Sequence, residues 1–226
     1  MPDKKVMSFI RVLSSRARFI FKAEGIRRLG IKAIKYIVRR YLYHRRVILL
    51  QEHTVVARNE ADFLPRLDDY SVFVVSSSKQ LRELAEKGYR NLDFSPRALR
   101  GLDNHAVVFL IFVGKELAHS SWVMLSEEGK RLINPLPFKV DFEHGEACTG
   151  DAYTAPRYQN RGLMSYGLYL RFEYLRKAGI VKTRNTVRVD NKSSLAVGDK
   201  FNAVTYAKLR YLKILWFKSY KETALL

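Results

Sequence analysis

The sequence predicts an α/β fold in which a mixed, mostly antiparallel central sheet is flanked by helices. Short apolar runs bounded by polar turns recur along the chain, and such runs are typical of strands. Two adjacent strand-like runs come first and strands then alternate with helices, an order that favours a sheet with helices on its faces. Residues 1–46 differ, because their apolar residues recur at steps of three and four, which predicts amphipathic helices.

We expect two parts, a basic amphipathic helical extension over residues 1–46 and a main domain over residues 47–226. In the extension, the apolar spacing predicts helices over 6–22 and about 26–43, and Gly25 separates them. The first 50 residues contain fourteen Lys or Arg against two acidic residues, in a chain of formal net charge +19. The positive charge is therefore concentrated near the N-terminus, so the basic character belongs to that region and not to the whole fold.

Three interpretations of the basic extension stay open. A pair of basic amphipathic helices can lie on an anionic membrane surface. The apolar stripes can instead pack on the main domain and leave an ordinary solvated basic face. Nucleic-acid binding is the least favoured, because the sequence has no helix-turn-helix, zinc finger or RNA-binding aromatic motif. Electrostatic attraction of an acidic partner, including acyl carrier protein, is compatible with the first two interpretations.

The composition also limits the compartment and the chemistry. Cys148 is the single cysteine, which excludes an intrachain disulfide and favours a reducing compartment. It lies on a predicted core strand, so we expect a small buried residue rather than a nucleophile. The histidines lack the spacing of metal ligands, so we expect no metal site. Basic residues interrupt every apolar run before it reaches the roughly 20 residues that a membrane-spanning helix needs. We therefore expect a cytoplasmic protein, peripheral at the inner face of the membrane under the first interpretation.

The elements of the main domain follow from apolar runs, capping residues and breakers. Strands are predicted over 47–54, 70–76, 105–113, 117–125, 147–155 and 183–189, with one or two more over 203–218. Helices are predicted from Ser77 or Ser78 to Gly88, at Pro96, over 161–178 and near Asn191. Residues 126–140 contain two prolines and are predicted to be a loop.

Residues 154–165 carry the strongest functional signal. A predicted strand ends at Pro156, a polar turn follows, and a helix begins near Gly162. The first turn of a helix has unpaired backbone N–H groups and the positive end of the helix dipole. Such an end binds phosphate when no bulky side chain blocks the approach. Arg157 and Arg161 add charged donors, so the segment predicts a phosphate-binding turn.

This segment resembles motif A of the GNAT (N-acetyltransferase) superfamily, usually written Gln/Arg-x-x-Gly-x-Gly/Ala after a strand that ends near a proline. In this chain the motif reads Gln159, Asn160, Arg161, Gly162, Leu163, Met164. The stretch from Asn191 to Phe201 is similar to the family's Asn-x-x-Ala/Ser segment, whose asparagine contacts the pantetheine arm. The resemblance covers about residues 70–220 and implies a GNAT-like sheet with splayed strands at the cofactor site, in a bacterial-type member with a basic N-terminal extension.

The resemblance implies acetyl-CoA or another acyl-CoA as co-substrate, and no metal. The residues implied to bind it are Thr154, Ala155, Gln159, Asn160, Arg161, Gly162, Leu163, Met164, Ser165, Asn191 and Ser194. A backbone N–H near Ala152 to Thr154 is implied as the donor to the acyl oxygen. Asp151 is the candidate general base and Tyr153 the candidate positioning group or proton donor. A purely structural role, with Asp151 ending a turn and Tyr153 packing, stays open.

Three positions depart from the family pattern. Met164 stands where Gly or Ala is preferred, and Gly198 stands where many members have a tyrosine that protonates the leaving thiolate. Asn202-Ala203 replaces the usual Gly-Phe. The implied function is acyl-CoA-dependent N-acylation of a primary amine on a small molecule, such as an amino sugar or amino acid, by direct attack. The alternatives are a long-chain N-acyl amino acid synthase that uses acyl carrier protein, and a catalytically inactive module that binds a membrane or protein.

Overall fold

The computed structural model describes residues 43–214 and 217–225. Its strands are β1 (Tyr43–Thr54), β2 (Ser71–Val75), β3 (Ala106–Val113), β4 (Glu116–Met124), β5 (Glu146–Thr154), β6 (Lys182–Arg188), β7 (Val204–Ile214) and β8 (Phe217–Ala224). They form one sheet in the order β2-β3-β4-β5-β6-β1-β7-β8. Where the register is defined, β5 and β6 pair in parallel and the other pairs are antiparallel. The predicted mixed, mostly antiparallel sheet is confirmed.

The helices of the described residues lie largely where the sequence predicts them. They are α1 (Ser78–Glu86), α2 (Pro96–Leu102), α3 (Glu127–Ile133), α4 (Leu163–Lys177) and α5 (Lys192–Lys200). The prediction of a loop over 126–140 is wrong, because α3 occupies its first half. The Ser126 hydroxyl accepts a hydrogen bond from the N–H of Gly129 and Glu127 lies in the first turn, a combination that starts a helix.

The extension predicted at the N-terminus falls mostly outside the described residues. The helix predicted over 6–22 lies outside them. Of the helix predicted over 26–43, only Tyr43 is described, and β1 begins at that residue. The division at residue 46 stays a prediction. Of the described residues, 47–209 and 222–225 form one compact unit, and 210–214 and 217–221 fall in another. None of the described helices combines the length and apolar character needed to cross a bilayer.

The centre of the sheet is covered on both faces. Strand β3 is buried from Ala106 to Phe112, which explains its continuous apolar run, since a strand with one solvated face would alternate. One face carries Trp122 and Phe112 against α1, α2 and the segment after α3, and the other carries Phe109 and Ile111 against α4. The sheet is therefore a rigid support for the residues at its strand ends.

Strand β5 leaves β6 soon after the two strands meet. They pair only at Glu146↔Lys182, Ala147↔Thr183 and Cys148↔Arg184. On its other side β5 continues to pair with β4 as far as Thr154, with an irregularity opposite Ser121. Asp151 has a φ of 45° there, so β5 bulges and bends away from β6. The splayed strands that the resemblance implies are present, and one edge of β5 is left without a strand partner.

Helix α4 lies close against the splay because Gly167 has no side chain. A Cβ at this position would stand 2.5 Å from Nε2 of His119 and 3.3 Å from Oγ of Ser121. Both side chains belong to β4 and are fully buried. The helix can therefore approach the sheet only with glycine here.

We expect Gly167→Ala to lower the free energy of unfolding by about 1–3 kcal/mol, because the buried imidazole must move. Helix propensity alone predicts the opposite effect, an increase of about 1 kcal/mol in the free energy of unfolding, because alanine favours a helix more than glycine does. Urea unfolding measures the difference. Lys177→Ala, on the exposed side of the same helix, is the control and should change stability by less than about 0.5 kcal/mol. A stabilised Gly167→Ala variant would contradict the close approach.

Candidate functional site

A cavity of about 620 Å³ opens beside the end of β5. Its walls come from the end of β5, the turn that leads into α4, and α5. Its lining residues are Arg66, Ala152, Tyr153, Thr154, Tyr158, Gln159, Asn160, Gly162, Leu163, Met164, Ser165, Asn191, Ser193, Ser194, Ala196, Val197 and Lys200. A cavity of this size is ordinary for an organic ligand.

Most of the residues predicted to bind a cofactor line this cavity. The nine that do are Thr154, Gln159, Asn160, Gly162, Leu163, Met164, Ser165, Asn191 and Ser194. Ala155 and Arg161 are not among the lining residues. Their backbone groups hold the walls instead, because the N–H of Ala155 donates to the carbonyl of Ala118 and the carbonyl of Arg161 accepts from the N–H of Arg66.

The turn before α4 has the backbone shape of an anion cradle. Asn160 and Gly162 both have positive φ, 62° and 83°, on either side of Arg161. Left-handed residues at such intervals direct successive N–H groups into one concavity, which attracts anions. No side chain caps the first turn of α4, although Ser77, Ser95, Ser126 and Asn191 cap α1, α2, α3 and α5. The positive end of α4 therefore faces the cavity.

A buried histidine supports the β5 wall. Nδ1 of His119 lies 2.8 Å from Oγ1 of Thr154, and the His119 side chain is fully buried. Burial, with a smaller contribution from the charge of Arg171, lowers the pKa of His119 to about 3. The ring is therefore neutral at physiological pH. The sequence carried no signal for this pair, because it depends on the register His119↔Thr154 between β4 and β5.

The two candidate catalytic residues differ in position. Tyr153 lines the cavity and is 55% exposed, whereas Asp151 is not among the lining residues. Asp151 stands at the bulge of β5, between Gly150, which pairs with Trp122, and Tyr153, which pairs with Ser120. Partial desolvation raises the pKa of the Asp151 carboxyl although the side chain remains exposed. The base role of Asp151 stays a prediction.

Helix α5 supplies the opposite wall. Oδ1 of Asn191 caps the helix by accepting from the N–H of Ser194 at 3.2 Å, so a ligand contact falls to the amide nitrogen. Gly198 does not line the cavity. A Cβ on Gly198 would lie 3.3 Å from Cβ of Ala203 and 3.5 Å from Oε1 of Gln51. Gly198 therefore lies where α5 packs against Ala203 and Gln51, and a side chain there would require Ala203 to shift slightly.

Several lining residues were missed by the sequence reasoning. Helical spacing after Asn191 predicts three of them, because steps of four and three along α5 place Ser193, Val197 and Lys200 on one face. Arg66 comes from the segment before β2 and has no signal in the sequence. In the described parts of the chain, no group of three His, Cys, Asp or Glu side chains could hold a metal ion. Cys148 is fully buried and burial raises its pKa to about 12, which confirms its prediction as a buried, unreactive residue.

The neutral His119 predicts a pH dependence of stability. Its pKa in the folded protein lies below the ordinary value of 6.5, so between about pH 6.5 and 3 the unfolded chain binds the extra proton. The free energy of unfolding should therefore fall as the pH is lowered through this range. His119→Gln should flatten that fall, measured by urea unfolding between pH 7 and 4. His105→Asn, at an exposed left-handed position, is the control, and an equal slope in all three proteins would refute the prediction.

No protein-family model matches the chain, and no curated protein matches it. Its fold is similar to several solved structures. A GNAT-family acetyltransferase from Colwellia psychrerythraea is 10% identical over 80% of this chain and 61% of that one, with a TM-score of 0.49. A putative GNAT-family acetyltransferase from Novosphingobium aromaticivorans is 13% identical over 74% and 63%, with a TM-score of 0.46.

A GCN5-related N-acetyltransferase from Sphaerobacter thermophilus is 9% identical over 81% of this chain and 56% of that one, with a TM-score of 0.47. The chain thus spans about three fifths of the length of these three solved chains. At such low identity and TM-score, a function has to rest on the contacts of the site itself. The three structures are GNAT-family acetyltransferases, the family that the sequence motifs also resemble.

Proposed function

We propose that this chain is an acyl-CoA-dependent N-acyltransferase, most simply an N-acetyltransferase, that acylates a primary amine of a small molecule such as an amino sugar or amino acid. One observation carries the proposal. The start of α4 has no side-chain cap, follows two left-handed residues, and opens into a cavity beside the unpaired edge of β5. A phosphate-bearing ligand with an extended amide arm fits this combination of an anion cradle and a free strand edge.

The described residues offer groups suited to the pyrophosphate and the pantetheine arm of coenzyme A. The backbone N–H groups between Asn160 and Ser165 would hold the pyrophosphate. Arg66 and Lys200 line the same cavity and add positive charge. The free edge of β5 would pair with the two amides of the pantetheine arm, since it has lost β6 as a partner beyond Cys148. When bound, acyl-CoA supplies an activated acyl group and a thiolate leaving group.

The residues of the chain then have defined tasks in the reaction. The acceptor amine must be neutral to attack, and Asp151 takes its proton, helped by a pKa that desolvation raises. A backbone N–H at the β5 bulge, near Ala152, donates to the acyl oxygen while the C–N bond forms. The C–S bond breaks with its electron pair staying on sulfur, and Tyr153 in the cavity wall is the side chain placed to donate to that sulfur. Solvent returns the proton to Tyr153.

The location and the further partners follow the same proposal. We place the enzyme in the cytoplasm, with residues 1–46 as the contact to an anionic membrane surface. Long-chain acyl groups and acyl carrier protein as donor are the alternative within enzymes. A module without turnover is the alternative outside them. Calorimetric titration of acyl-CoA and a thioester-cleavage assay distinguish the acyl-CoA-dependent enzyme from these two alternatives.

We expect calorimetric titration to show micromolar binding of acetyl-CoA, and Gly162→Glu to weaken it by at least about a hundredfold. A carboxylate at the cradle repels phosphate, and φ of 83° at Gly162 disfavours any side chain. Gly179→Glu is the matched control, because Gly179 also has a positive φ, at the opposite end of α4, with no atom within 4 Å of its Cβ position.

Equal loss in both variants would indicate misfolding rather than loss of the cradle. No binding of acetyl-CoA or of a long-chain acyl-CoA by the folded wild-type protein would overturn the acyl-CoA proposal. It would leave a carrier-protein donor or a non-catalytic module. Preference for a long-chain acyl-CoA would favour the long-chain alternative.

We expect Asp151→Asn to lower kcat by about 10²–10⁴-fold in a thioester-cleavage assay with a panel of amines, as for loss of a general base. In the wild type the rate should fall as the pH is lowered through the raised pKa of Asp151, because the protonated carboxyl accepts no proton. That acidic limb should be absent from the variant. Asp93→Asn is the control, because Asp93 is exposed and distant from Asp151 in the sequence. A full rate with Asp151→Asn would assign the proton to water instead.

A further inference from the structure

Helix α4 carries a buried arginine that the proposed reaction leaves without a task. Arg171 is only 4% exposed. Its Nε donates to the carbonyl of Gly167 at 3.1 Å, and one terminal nitrogen lies 3.5 Å from the carbonyl of Trp122. Among the ion pairs of the described residues, none joins Arg171 to a carboxylate. Among the residues that the structure describes, the acceptors near its buried charge are therefore carbonyl oxygens.

The surrounding groups do not neutralise this charge. The titratable side chains that face Arg171 are His53 from β1, His119 from β4 and Cys148 from β5. Burial lowers the pKa of both histidines, and the charge of Arg171 lowers them further. Burial also keeps the Cys148 thiol protonated. All three are uncharged at physiological pH, so the cluster carries a net positive charge in a region of low dielectric.

The arginine lies where β5 parts from β6. Cys148, which it faces, is the last residue of β5 that pairs with β6. Trp122, whose carbonyl it approaches, pairs with Gly150 directly before the bulge. His119, which also faces it, contacts Thr154 in the cavity wall. Arg171 therefore lies behind the bulge, on the helix side of the sheet.

A buried charge without a partner normally lowers stability, and an apolar residue of similar size at such a position is often neutral or stabilising. Packing alone thus gives no reason for an arginine at position 171. Its charge would be useful beside a site where negative charge develops during a reaction, because fixed charges act strongly where water is excluded. The bulge of β5 is the site where the proposed acyl transfer develops negative charge on oxygen and then on sulfur.

We propose that Arg171 stabilises the negative charge of the acyl-transfer step through its field, from behind the β5 bulge and without touching the ligand. This rests on the proposed function. Arg171 acts through its charge, and it compensates in part for the absence of a tyrosine at position 198. The pKa of the thiol of bound coenzyme A measures this effect directly, because a positive field favours the thiolate over the thiol.

The test is Arg171→Met, which keeps the length of the side chain and removes the charge. We expect the pKa of the thiol of bound coenzyme A, followed by thiolate absorbance during a pH titration, to rise by about one unit, a tenfold change in ionisation. We expect kcat with acetyl-CoA to fall on the order of tenfold or more, with little change in the calorimetric Kd. Thermal unfolding of the ligand-free variant should occur at an equal or higher temperature than in the wild type.

Two further variants keep the test decisive. Arg171→Lys should restore most of the thiol pKa shift, and Arg176→Met, at an exposed position on the same helix, should leave it unchanged. If Arg171→Met does not fold, Arg171→Gln takes its place, since it keeps a donor for the carbonyl of Gly167. An unchanged thiol pKa in a folded, uncharged variant would overturn this proposal alone. Failure of the wild type to bind coenzyme A would overturn the proposed function and this inference with it.

Discussion

The parting of β5 from β6 after three residue pairs is the constraint on which the site depends. Asp151 has left-handed backbone where β5 bends away from β6, and the backbone beyond Cys148 loses its partner strand. Unpaired strand edges are costly inside proteins and are usually paired or covered. Here the edge borders a cavity that also contains the start of α4. The proposed ligand would satisfy the edge and the cradle together.

The close contact of α4 with the sheet links the cradle to the splay. Gly167 lets the helix approach β4, and this approach buries His119 and Arg171 between the two elements. Several polar atoms there have no hydrogen-bond partner among the described residues, including Nε2 of His119, Oγ of Ser121 and Oγ1 of Thr183. This polar interior behind the splay contrasts with the apolar core on the rest of the sheet.

Much of the architecture could be predicted because it depends on local signals. Serines at positions 77 and 95 begin α1 and α2, Gly179 ends α4, and Pro156 closes β5. The turn before α4 was also predictable, since its glycine and its neighbours in sequence form the cradle together. Around residues 126–140 two local signals compete, because the prolines after Ile133 favour a loop whereas the cap at Ser126 begins α3. Hydrophobic periodicity, helix caps and helix breakers each depend on a few neighbouring residues, so a single sequence is enough to recognise them.

The sequence by itself therefore determined the order of the elements, the position of the turn before α4 and the burial of Cys148. The tertiary structure alone decided which distant residues meet. The pairing of His119 with Thr154, the place of Arg66 in the cavity wall and the position of Arg171 behind the bulge all depend on strand register and helix docking. A shift of one residue at the bulge changes which side chains share a face. Such contacts join residues far apart in the chain, and no periodicity within one segment encodes them.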